Sequence, residues 1–114
     1  MTRQTPSRIR SPNEISPTEE ILLTALFGQE LYGVQIPQAI AEVSDGTRKM
    51  GVGTLYPTLH KLEKKGLIAS RWGDETREER GGARRRYYQL TGEGVAALEE
   101  IQSFRAGLLA WKPT

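Results

Sequence analysis

Cysteine is absent from these 114 residues, and histidine occurs once. No disulfide and no thiolate metal site can form, and one imidazole cannot close a metal shell. Enzyme chemistry is short of parts as well. There is no phosphate-loop glycine pattern, and Gly51-x-Gly53 lacks the remaining glycine and the preceding strand of a dinucleotide fingerprint. Glu63 follows His60 by three positions, a spacing that suits a surface pair better than a catalytic dyad. No apolar run approaches the roughly 18 residues of a membrane span. The opening MTRQTPSRIR has no apolar centre of a secretory signal. Internal repeats and low-complexity blocks are missing too. The expectation is a cytoplasmic protein of one domain with arms, neither enzyme nor metal or cofactor binder, and with no membrane contact.

What is present is an uneven layout of charge. Sixteen Lys and Arg against fourteen Asp and Glu leave a net charge of only +2. The cations gather at Arg3, Arg8 and Arg10, at Lys61, Lys64 and Lys65, and at Arg84 to Arg86. The acids gather at Glu19 and Glu20, at Asp74 to Glu79, and at Glu93 to Glu100. Local basic patches on a nearly neutral chain suit a nucleic-acid binder better than a general polyanion sponge.

Residues 1–14 have almost no apolar anchor and read as a disordered basic arm, either a plain tail or a contact to phosphates or the minor groove. Ser16-Pro17-Thr18-Glu19 then makes a strong helix start, with a capping serine, proline in the first turn and a capping-box glutamate. The helix runs to Gly28 and is apolar around most of its circumference, so Ile21 and its neighbours need cover on more than one side. Leu31-Tyr32-Gly33 starts a second helix to about Val43. Pro37 inside it, like Pro57 in the next helix, has glycine four residues back, which predicts two helices bent near their starts.

The third helix, within Gly51 to Lys65, carries Leu55, Leu59 and Leu62 on one stripe. About half a turn away lie Gly53, Thr54, Pro57, His60, Lys61 and Lys64. Such a face is either a solvated lysine face or a surface for a nucleic-acid groove. Gly66 is placed to end the helix in a left-handed cap. Leu67 to Trp72 and Arg84 to Leu90 read as strands of a hairpin with a long polar tip, and Ile68, Trp72, Tyr88 and Leu90 are the inward candidates. Thr91 caps a last helix. Val95, Leu98 and Leu109 form one stripe there. Ala97, Ile101, Phe104, Leu108 and Trp111 form a heptad seam that implies a second copy of the chain.

Helix, helix, helix, strand, basic tip, strand, helix is the winged helix-turn-helix order: mainly α with a small β hairpin, over residues 15–90, followed by a dimerisation helix and tail over 91–114. In that arrangement the third helix enters the major groove and the wing follows the backbone. GTLYPTLHKLEKKGLI, followed by RWG and GGARRRYYQLTGEG, closely resembles the PadR-like transcriptional regulators, and Leu31-Tyr32-Gly33 fits the same pattern. The resemblance spans about residues 17–100 and departs at Val52, where the family often has proline. It implies a homodimeric DNA-binding regulator, usually a repressor, in a short form with a single C-terminal helix. Thr54, Tyr56, Thr58 and His60 are then the candidates for base edges and nearby phosphates, Lys61 and Lys64 for phosphates, and Arg84, Arg85 and Arg86 for the backbone beside the wing. Ile21, Ala97, Ile101, Phe104, Leu108 and Trp111 are the candidates for the dimer interface. The resemblance also allows a small aromatic effector at Phe104 and Trp111. The competing reading is a winged helix used for protein contacts, favoured by the acids at Asp74 to Glu79.

Overall fold

The computed structural model describes residues 14–74 and 84–114. All of the basic arm except Glu14, and the hairpin tip 75–83, lie outside the described residues. The elements are α1 (Pro17–Ala25), β1 (Leu31–Tyr32), α2 (Gln35–Val43), α3 (Val52–Lys64), β2 (Ile68–Trp72), β3 (Arg86–Leu90) and α4 (Gly92–Ala110). Among the described residues, four helices accompany a small antiparallel sheet ordered β1-β3-β2.

α1 begins as its sequence requires. The Ser16 hydroxyl accepts from the Glu19 amide at 3.1 Å, and the Glu19 carboxylate accepts from the Ser16 amide at 2.8 Å. Leu22, Leu23 and Leu26 enter the core, while Ile21 is half-buried and Phe27 is exposed.

Leu31 and Tyr32 do not start the second helix. They form β1, with Leu31 opposite Tyr88 and Tyr32 opposite Tyr87. A two-residue strand has no periodicity of its own; pairing with β3 makes it. α2 therefore begins at Gln35, and Pro37 falls in its first turn. A first-turn amide has no intrahelical acceptor, so the proline there removes nothing and demands no bend. Pro57 lies inside α3, which continues past it to Lys64.

α3 is held by Leu55, Leu59 and Leu62, all buried. Each contributes about 2 kcal/mol of transfer free energy, enough to fix the roll of the helix. Its end is a Schellman turn. The Leu67 amide donates to Leu62 O at 3.1 Å, and the Gly66 amide to Glu63 O at 3.0 Å. Gly66 sits at φ +80°, where other residues are strained. In the hairpin, Ile68 pairs with Leu90, Ser70 with Tyr88 and Trp72 with Arg86. Ile68 and Tyr88 are buried and Leu90 packs on the core, but Trp72 remains 49% exposed. It belongs to the face that looks at α3 yet stands beyond the core.

α4 divides in two. Ala97, Leu98 and Ile101 are buried in the chain's own core, so the first half of the heptad seam closes this domain. Past Ile101, 4% exposed, the helix leaves the body: Phe104 is 58% and Trp111 68% exposed, and Leu108 and Leu109 lie open as well. Arg105 anchors the crossing point through a 2.7 Å ion pair with Glu20 of α1.

Candidate nucleic-acid interface

With its leucine stripe turned inward, α3 presents Thr54, Tyr56, His60, Lys61 and Lys64 to solvent. Thr58 differs. It is half-buried, and its hydroxyl donates to Thr54 O at 2.7 Å, so it serves the helix on the flank. Tyr56 and Glu63, seven residues apart, share the flank beside the wing. The Tyr56 phenol reaches over Gly33, where an added Cβ would stand 2.6 Å from its oxygen. Gly33 thus lets the Tyr56 ring approach closely, and a side chain there would make the ring shift.

The wing arginines are not equivalent. The Arg84 and Arg86 guanidiniums lie over the Trp72 ring, at 5.6 and 5.0 Å from its centroid. Arg84 also donates to Gly73 O at 3.2 Å. Arg85 lies over Tyr32 at 4.1 Å. Tyr32 meets Tyr87 edge to face at 5.6 Å, and Arg71 covers Tyr87 at 4.9 Å. Arg71 also grips Glu30 with two bonds of 2.8 Å, which straps β2 across the sheet to the residue before β1. The hydrogen bond from Arg71 holds the Glu30 carboxyl below its usual range, against a smaller desolvation effect.

Between α3 and the wing runs a cleft of about 440 Å³, lined by Tyr56, Trp72, Arg84, Arg85, Arg86 and Tyr88 among others. Burial pushes the Tyr88 phenol up even with the Arg86 charge and hydrogen bond beside it, so it stays neutral. The helix and wing are joined by polar contacts. The Ser70 hydroxyl donates to Glu63 at 2.7 Å and accepts from Arg86 Nε at 3.1 Å. Glu63 thus engages the wing.

The structure brings Tyr56 and the three wing arginines to one cleft. His60, Lys61 and Lys64 lie on the outer face of α3, and the Lys61 charge is felt by Glu19 at the start of α1. Sequence reasoning missed Trp72 as a surface residue, and Ser70 and Glu63 as its supports. Strand alternation puts Trp72 on the same face as Ile68 and so pointed inward; it does not show where along β2 the core ends. Among the described residues, no group of His, Cys, Asp and Glu is placed to hold a metal, and no helix is long and apolar enough to cross a membrane.

Three helices, a paired wing and a cationic face spanning both define a winged helix-turn-helix protein. The family model described as the transcriptional regulator PadR-like family matches residues 22–100, and the chain belongs to that family. Its members regulate transcription and are not enzymes. "Transcriptional regulator Rv3488" of Mycobacterium tuberculosis is 44% identical over 71 residues, which cover 62% of this chain and 59% of that protein. The PadR-like transcription factor of Bacteroides fragilis superposes with a TM-score of 0.70 at 29% identity, over 81% of this chain and 82% of its own. The fold is also that of Bacillus subtilis PadR, solved in complex with operator DNA, with a TM-score of 0.65 at 22% identity over 86% of this chain and 50% of that one.

Proposed function

We propose that this chain is a sequence-specific double-stranded DNA-binding regulator, acting in the cytoplasm as a homodimeric repressor on a palindromic operator. One observation carries the reading: α3 exposes Thr54, His60, Lys61 and Lys64, and its Tyr56 shares an open cleft with the wing cations Arg84 and Arg86. A helix reads base edges in the major groove while cations beside it take phosphates. Arg85 completes the wing's positive charge from its place over Tyr32. The solved operator complex of the Bacillus subtilis relative supports the same use of the fold. The homodimer is supported by two unpartnered apolar surfaces. One is the outer half of α4. The other is a groove of about 580 Å³ between α1 and α2, lined by Ile21, Ala25, Ile40 and Val43 among others. Two-fold pairing would read two half-sites about one helical turn apart.

Binding to labelled duplex across a salt series tests this. Lys61→Ala should weaken binding to all sequences and flatten the dependence of log K on log salt by about one. An unchanged slope would remove Lys61 from the interface. Absence of any duplex binding in dilute buffer would leave the protein-contact reading instead. Selection from a random duplex library should return a site with two-fold symmetry. A small aromatic effector has Phe104 and Trp111 available on α4. Trp72→Phe leaves Trp111 as the sole tryptophan, and its emission should be quenched on titration if such a ligand stacks there.

A further inference from the structure

We propose that Ser70 is a positioning residue for DNA binding: its hydroxyl locks the wing to the recognition helix so that Trp72, Arg84 and Arg86 meet the duplex in fixed register with α3. The proposal rests on the DNA-binding reading above. Ser70 lies on β2 and is half-buried. Its hydroxyl donates to the Glu63 carboxylate at 2.7 Å and accepts from the Arg86 Nε at 3.1 Å. One O–H and two lone pairs allow both bonds at once. Each partner is charged, and hydrogen bonds to charged groups are about twice as strong as neutral ones.

Three elements meet at this one atom. Glu63 stands in the last turn of α3, Ser70 in β2, and Arg86 opens β3. Arg86 in turn covers Trp72 at 5.0 Å, and Arg84 covers the same ring at 5.6 Å. A carboxylate on a groove-reading helix repels phosphate unless it is turned aside and engaged. Glu63 is engaged by Ser70, on the wing flank of α3, and that explains an acid among His60, Lys61 and Lys64. A hairpin is marginal unless it packs on a body. β1 holds the hairpin from the β3 edge, and the Arg71–Glu30 ion pair straps β2 to the residue before β1; Ser70 ties the hairpin to α3.

The distinguishing readout is the salt dependence of binding to a fluorescein-labelled mixed-sequence duplex about three helical turns long. Ser70→Ala removes no charge. If Ser70 only stabilised the fold, its loss would lower the active fraction and leave the slope intact. If it positions the wing, Ser70→Ala should lower affinity about tenfold and flatten the slope of log K against log salt by about one, as wing cations leave the phosphates. Ser70→Thr, which keeps the hydroxyl, should restore both. Glu63→Ala cuts the same joint from the helix side, at a partly exposed position where alanine favours helix, and so decides the matter if Ser70→Ala does not fold. Removing an acid beside DNA should strengthen binding by charge alone, so weaker binding with a flatter slope supports the joint. Arg84→Ala is the reference for the wing. If the wild type binds and Arg84→Ala flattens the slope, yet Ser70→Ala and Glu63→Ala keep the wild-type slope, the positioning role is overturned while the DNA reading stands. If the wild type ignores duplex at low salt, the DNA reading falls first.

Discussion

A single methyl group is decisive at Gly94. This glycine is buried in the first turn of α4, and a Cβ there would run into the Leu67 carbonyl. That carbonyl accepts the Thr91 amide at 3.1 Å, while the Thr91 hydroxyl donates to Gly66 O at 2.6 Å and accepts the Gly94 amide at 3.0 Å. The start of α4 is thus fastened to the turn that ends α3. A backbone obstacle cannot rotate away as a side chain does, so Gly94→Ala should cost about 3 kcal/mol, near the top of the usual overpacking range. Gly92→Ala, with open space around it, should leave stability unchanged or raise it by up to about 1 kcal/mol. Urea unfolding of the two variants checks the pair, and equal midpoints would contradict the close approach. Neither Gly94 nor Gly33 betrays its role in the chain, because the atom each must admit comes from a distant segment.

At the scale of elements, α1 joins α3 through one carboxylate. Glu19 completes the capping box and, at 3% exposure, also binds Lys65 at 2.9 and 3.0 Å. Burial is the largest influence on Glu19 and raises its pKa; the Ser16 amide, the Lys65 hydrogen bond and the charges of Lys65 and Lys61 together overcome it and leave the pKa below the ordinary 4.5. A folded-state pKa below the unfolded value stabilises above the unfolded pKa, and that stability is lost as pH falls through the folded one. The thermal midpoint of the wild type should therefore fall on acidification below about pH 4.5, and Glu19→Gln should show a shallower decline from a lower plateau. Parallel curves would remove Glu19 from the acid response. The capping box was legible because its signals lie within four residues, as was the leucine stripe of α3. β1 was not, because two residues become a strand only when β3 lies beside them. Pro37 was misplaced for the same reason: the helix it was assigned to began too early.

The whole molecule raises the question of what the outer half of α4 touches. Heptad spacing reads Ala97, Ile101, Phe104, Leu108 and Trp111 as one seam, but spacing carries no information about where the body beneath it ends. The seam is split there: Ile101 closes the core, and Phe104 onward has left it. An exposed row of large apolar side chains marks an interaction surface, and closed two-fold pairing is the commonest way to cover one. Charge at this row therefore separates association from folding. Phe104→Glu with Leu108→Glu should give a monomer in sedimentation at micromolar concentration, whereas the wild type should sediment as a dimer. The thermal midpoint of the variant in the dilute, monomeric range should match that of the equally diluted wild type, since neither side chain is part of the core. Loss of the second copy should also roughly halve the salt slope on a palindromic site, because half the phosphate contacts go with it. A wild type that is already monomeric at that concentration would refute the pairing. A variant that unfolds would show instead that these side chains close the chain's own fold.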